Sequence, residues 1–150
     1  MVVHESDLPR GKGWSPLTWQ ILEGQNRIPI TLLEAVYRVD SGDIYLQEWL
    51  EFEGHELLYE LRHAQAQSTI RLCLQFVQQY PDILQTSSPQ TGEESFYPRR
   101  RPKDSQLDIN RSLAEQFNLL RVVDHEQYPA FFEYCSNTFL LKIDQEQKDA

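Results

Sequence analysis

Between Gly54 and Tyr80, Leu57, Leu61, Ala64, Ser68, Leu72 and Phe76 recur at steps of three or four. That period puts them on one face of a long helix. Pro81 ends it, because proline cannot give an amide proton to the preceding turn. The stretch before the helix has a different rhythm. Pro29 to Tyr37 is rich in β-branched and apolar residues and reads as a strand. Ile44 to Phe52 alternates, with Ile44, Leu46, Glu48, Leu50 and Phe52 on one side, and reads as a second strand paired with the first. Asp40-Ser41-Gly42-Asp43 between them is a turn. With the short apolar start Val2-Val3-His4, this order predicts an α/β fold.

The remaining segments are shorter. Glu5 to Gly13 is a loop by its proline and glycines. Ser15-Pro16 starts a helix, serine as cap and proline in the first turn. It runs through Trp19 and Ile21 to Leu22, and Gly24 stops it in the left-handed conformation. Gln85 to Glu94 is polar and marks the candidate boundary. It divides a main unit, 1–84, from a linker, 85–95, a small C-terminal subdomain, 96–143, and a polar tail, 144–150, expected to fray. Ser112 and Glu115 form a capping box before a short helix with Leu113, Phe117 and Leu120 on one face. Ala130 to Cys135 and Thr138 to Ile143 form a hairpin around Ser136-Asn137. Trp14, Trp19 and Trp49 are expected as core or interface anchors, core the more so.

The composition removes several classes of function. The 150 residues carry a formal charge of −9, with a pI near 4.8. Gripping nucleic acid calls for a basic surface, and the single basic cluster is Arg99-Arg100-Arg101 with Lys103. That cluster is either a solvated charge run or a local anion contact. No apolar run approaches the ~18 residues that span a bilayer. Met1 to Glu5 lacks the basic region and apolar core of a signal peptide, so the expectation is a cytoplasmic chain without membrane contact. Cys73 and Cys135 belong to no CxxC pair, and the four histidines are dispersed, so no metal site is expected.

One constellation can carry chemistry. His4 closes a strand-like segment, a proline–glycine loop follows, and Asp40 opens the turn after the next strand. Strand ends at one edge of a sheet are where α/β enzymes place their sites. A His–Asp pair there suits acid–base work near neutral pH. On these residues alone, a satisfied structural histidine beside a loop is the favoured reading.

The motif His4-Glu5-Ser6-Asp7-Leu8-Pro9 followed by Gly13 resembles the H-x-S-x-L-P…G segment of the formyl-tetrahydrofolate-dependent formyltransferases. Ile30 to Ala35, then Val39 to Ile44, is similar to that superfamily's strand and D-x-G turn. Tyr97 to Ser105, Leu107-Asp108-Ile109, Leu120-Arg121 and Tyr128 to Phe131 resemble the stretch after the catalytic domain in sugar N-formyltransferases. The resemblance implies a partial formyltransferase-type, Rossmann-like catalytic domain without its N-terminal half, followed by a small C-terminal helix and β-hairpin subdomain. It implies transfer of a formyl group from 10-formyltetrahydrofolate to an amine of a sugar or nucleotide-linked amino sugar. His4 then stabilises the oxyanion of the tetrahedral intermediate, and Asp40 orients His4 and takes up the amine proton. Ser6, Leu8, Pro9 and Gly13 shape the substrate and cofactor loop. A methionyl-tRNA formyltransferase-like enzyme is the first alternative, and a non-catalytic partner module derived from the same fold is the second.

The sequence departs from the pattern at two points. The family's N-x-H asparagine falls on Val2, which has no donor for an oxyanion; one such donor is typically worth about 10²–10³ in rate. The family's front α/β half should precede His4, and only Met1, Val2 and Val3 do. The expectations are therefore a chain incomplete and inactive alone, and a parallel sheet cut open before His4. Such a sheet exposes an edge and an apolar face and leads to self-association. A homo-oligomer and a separately supplied N-terminal half are both open.

Overall fold

The computed structural model describes residues 1–146. The tail expected over 144–150 lies outside the described residues from 147 onward.

Three strands form the central sheet in the order β1 (Val2–His4), β3 (Arg27–Leu33), β4 (Ile44–Glu51). Both pairings are antiparallel, with His4 opposite Thr31 and Leu33 opposite Ile44. The expected parallel sheet is thus corrected for this part of the chain. The loop through Asp40–Gly42 returns β4 beside β3 as an antiparallel neighbour, and β1 pairs antiparallel with β3 across a longer connection that carries the helix Pro16–Leu22. Among the described residues, β1 pairs with β3 alone. β3 stops at Leu33, four residues short of the expected Tyr37, and Val36, Tyr37 and Val39 are exposed.

The long helix is α2 (Leu58–Gln79), and the expected face is the buried one, with Leu61, Ser68 and Leu72 inward. It packs with Ile28, Ile30, Leu32 and Leu50 of the sheet and with Leu17 and Ile21 of α1 (Pro16–Leu22). α1 begins as expected at Pro16, but Ser15 adopts a left-handed backbone, φ 49°, and its side chain makes no cap bond. Gly24 has φ 87°, the expected left-handed stop.

Residues 85–95 cross the end of the sheet. Ser88 exchanges backbone bonds with Ile44. The two-residue strand β5 (Phe96–Tyr97) then pairs in parallel with β2 (Lys12–Gly13). Beyond it, Leu107, Leu120, Val123 and Ala130 make a second small core. The helix α3 (Phe117–Val122) joins the two cores, since Val122 belongs to the first and Leu120 to the second.

The Ser112–Glu115 capping box is present: Glu115 Oε2 accepts from the Ser112 amide, and Ser112 Oγ accepts from the Glu115 amide. Leu113, expected on the buried face, is exposed. It precedes a 3-10 turn at Ala114–Gln116, and Gln116 takes the buried position, accepting from the Asp108 amide. The hairpin is β6 (Ala130–Tyr134) with β7 (Asn137–Leu141). Its turn residues are Cys135 and Ser136, one position earlier than expected, both with positive φ, as two-residue hairpin loops of the primed type require.

Candidate active site

Antiparallel partners project to the same side of a sheet. His4 and Thr31 therefore share one face, and Val2 joins them by alternation along β1. Val3 and Glu5 project to the other face. Val3 packs against the main core there, and Glu5 accepts from Gln65 of α2. The position where an oxyanion donor was expected is thus on the face of His4, and it is aliphatic.

His4 and Asp40 meet, as the sequence reading requires. Nδ1 of His4 lies 3.5 Å from Oδ1 of Asp40, and both side chains are 7% exposed. Nε2 of His4 lies 2.9 Å from the carbonyl of Gly11. Nε2 is thus hydrogen-bonded to the loop, while Nδ1 faces the Asp40 carboxylate at ion-pair distance. Oδ2 of Asp40 accepts the amide of Gly13 at 3.0 Å. The loop that follows His4 thereby returns to hold both members of the pair, one with a carbonyl and one with an amide.

Asp40 has φ 52°, a left-handed conformation that aspartate tolerates better than most residues. The turn is held from outside: Nε2 of Gln90 donates to the carbonyls of Asp40 and Gly42, both at 2.9 Å. Gly42 has no room for a side chain, since a Cβ would stand 2.1 Å from the carbonyl oxygen of Glu34. Gly13, at φ 100°, is equally constrained, with a Cβ placed 2.6 Å from the carbonyl oxygen of Tyr97. Ser6, Leu8 and Pro9 are buried in the same loop. The carbonyl of Ser6 accepts from Thr31 at 2.7 Å, which fixes the loop to β3.

A cleft of about 480 Å³ opens at the two ends of this loop, Glu5 and Trp14, and neither His4 nor Asp40 lines it. Glu5 and Gln65 line it, together with Trp14, Tyr128 and the three consecutive arginines. Trp14 is 56% exposed, with the Arg99 guanidinium 5.0 Å from its ring centre. Arg100 is half-buried. One of its terminal nitrogens donates to the Asp104 carbonyl at 2.9 Å, while its buried Nε has no partner. Among the described residues, none of Arg99, Arg100 and Arg101 forms a salt bridge. The three tryptophans are not core. Trp49 is exposed under the Arg27 guanidinium, and Trp19 is partly exposed, its Nε1 donating to the Pro98 carbonyl.

Sequence reasoning missed Glu5, Lys12, Gln90 and Glu94. Lys12 is 2% exposed, and its Nζ donates to Ser41 Oγ at 3.0 Å and to Glu94 Oε1 at 2.9 Å. Burial pushes the Glu5 carboxyl above its ordinary range, against the pull of His4 and the Gln65 hydrogen bond. The parity of Glu5 relative to His4 was the one available signal. No cluster of metal ligands occurs among the described residues, and no helix there is long and apolar enough to cross a membrane.

No protein-family model matches the sequence. Among solved structures, the chain is similar to a methionyl-tRNA formyltransferase from Clostridium thermocellum, with 24% identity over 97% of this chain and 63% of that one, at a TM-score of 0.77. It is also similar to a sugar N-formyltransferase from a Shewanella species, with 14% identity over 98% of this chain and 61% of that one, at 0.75. A third similar structure is HypX from Aquifex aeolicus in complex with tetrahydrofolic acid, with 18% identity over 99% of this chain and 26% of that one, at 0.73. The chain spans less than two thirds of the length of each. Over that span it has the fold of the formyltransferases.

Proposed function

We propose that the chain is the part of a formyltransferase that holds its acid–base pair, and that it serves transfer of a formyl group from 10-formyltetrahydrofolate to the amine of a sugar or nucleotide-linked amino sugar. The observation that carries this is the His4–Asp40 pair, gripped by Gly11 and Gly13 at the end of β1 in this fold. In such a transfer the amine nitrogen bonds to the formyl carbon, and that carbon leaves N10 of the folate. The amine proton is lost and N10 gains one. His4 gives a hydrogen bond to the oxygen on which charge develops, exchanging the Gly11 carbonyl for it. Asp40 keeps the imidazole oriented and balances its charge.

The sugar-type acceptor is favoured over tRNA by two observations. The chain is strongly acidic. Arg99, Arg100 and Arg101, without salt bridges among the described residues, line a cleft of about 480 Å³, which suits a phosphate of a small molecule. Val2, on the face of His4, favours the non-catalytic alternative, so activity is the deciding measurement. The test places the front third of the Clostridium enzyme ahead of Met1 and supplies 10-formyltetrahydrofolate with amino sugars, nucleotide-linked amino sugars or methionyl-tRNA. N-formylated sugar is the expected product. Formylation of methionyl-tRNA alone transfers the reading to the tRNA type, and no product from any acceptor favours the partner module.

A further inference from the structure

We infer that Lys12 is the positioning residue of the His4–Asp40 pair. The inference rests on the reading of that pair as a working unit, and it assigns a role to a side chain that touches neither of the two.

Lys12 sits between the two residues that hold the pair. Gly11 supplies the carbonyl on His4 Nε2, and Gly13 supplies the amide on Asp40 Oδ2. The Lys12 side chain runs to Ser41, the residue after Asp40, and to Glu94 on the crossing segment. One three-residue stretch therefore grips His4, Asp40 and Ser41 at once. The Ser41 link reaches the Asp40 turn beyond the carboxylate itself.

A buried ammonium is costly, and a well-packed apolar side chain is often as stable or more so. Glu94 is not a private counter-ion, because it also pairs with Arg38 at 2.6 Å. Nor is Lys12 needed to seat the crossing segment. The backbone does that, with Lys12 donating its amide to Ser95, Trp14 to Tyr97, and Gly11 to Ser95 Oγ. What the side chain adds is a second span from the loop to the Asp40 turn, beside the Gly13–Asp40 bond. Its burial makes that span stiff, and a misplacement of about 1 Å at a reacting group can cost about 10²-fold in rate.

The test uses ¹⁵N-labelled chain and reads the His4 ring nitrogens and the Gly13 amide by NMR, beside a melting curve. Lys12→Met is expected to shift the His4 nitrogens and speed hydrogen exchange at the Gly13 amide. Lys12→Arg, which keeps charge and reach, restores part of both. Should Lys12→Met fail to fold, Ser41→Ala decides, since it leaves the Lys12–Glu94 pair in place. It is expected to speed Gly13 exchange with the melting temperature little changed. Unmoved His4 and Gly13 signals in the folded variant overturn the inference. In the chimera that carries activity, Lys12→Met is expected to lower kcat by about 10²-fold with KM held. A rise in KM at constant kcat overturns it there. The NMR arm needs no reaction, so it reads the role of Lys12 even with a wrong acceptor or an inactive chain.

Discussion

Gly13 donates its amide to Oδ2 of Asp40 at 3.0 Å, and the other oxygen of that carboxylate is the one that faces His4 Nδ1 at 3.5 Å. A backbone group thus decides which oxygen the histidine meets. The glycine is there because the same loop lies against Tyr97, where no Cβ fits. The close approach of two chain segments and the orientation of the candidate acid–base pair have one structural cause.

Gly42 tests the other side of that arrangement. A Cβ there would collide with Glu34 backbone atoms at 2.1 and 2.7 Å, which cannot rotate away. Gly42→Ala is expected to cost at least about 1–3 kcal/mol in urea unfolding, the usual range for overpacking. It should also displace Asp40, whose turn includes this residue. An unchanged midpoint would mean that the turn is looser than described.

Arg121 is the largest fully buried side chain, and it ties α3 to the main unit. It donates to the Glu56 carbonyl, to Glu56 Oε2 and to Asn26 Oδ1, each at 2.9 Å. Removing one partner of a buried ion pair strands the other. Arg121→Ala is therefore expected to cost about 3–5 kcal/mol. Burial raises the Glu56 carboxyl, but the backbone amides of Glu53 and Gly54 and the Arg121 charge outweigh it and hold it below 4.5. Its contribution to stability is present above the ordinary carboxylate value and is lost as pH falls through the folded one. A urea series across acidic pH should show a smaller loss in Glu56→Gln than in the wild type, since Glu48 and Asp124 are also held low and still contribute.

Glu5 behaves in the opposite sense. Its carboxyl is raised above 4.5 by burial, so the fold binds its proton more tightly than the unfolded chain does. Stability from this group is present at low pH and is lost as pH rises through the folded value. Glu5→Gln should raise the melting temperature at neutral pH, and the gain should vanish below 4.5. A gain that persists in acid would point to packing instead of charge.

Much of this fold was legible because local rules agreed with it. The helical period of Leu61, Ser68 and Leu72, the left-handed stop at Gly24 and the Ser112–Glu115 box are short-range signals, and all three are in the structure. The strand direction was not legible, because β1 is too short to carry a pairing pattern. The role of residues 85–95 was hidden too. In the segment that read as a linker, Gln90, Glu94 and Ser95 bond to loops distant in sequence, at Asp40, Lys12 and Gly11. Such contacts leave no periodicity. Within the site, His4, Asp40 and Gly13 came from the resemblance to the formyltransferase motif, while Lys12 had no signal beyond lying between two glycines.

The most direct measurement is a double-mutant cycle on His4 and Asp40 in the active chimera, with melting curves alongside. If the two act as one unit on the same proton and oxyanion, His4→Ala and Asp40→Asn each remove most of kcat. The double variant is then scarcely slower than the worse single, and all three melt near the wild type. Rate losses that multiply, or that follow the loss of fold, would show the pair to be packing and not chemistry.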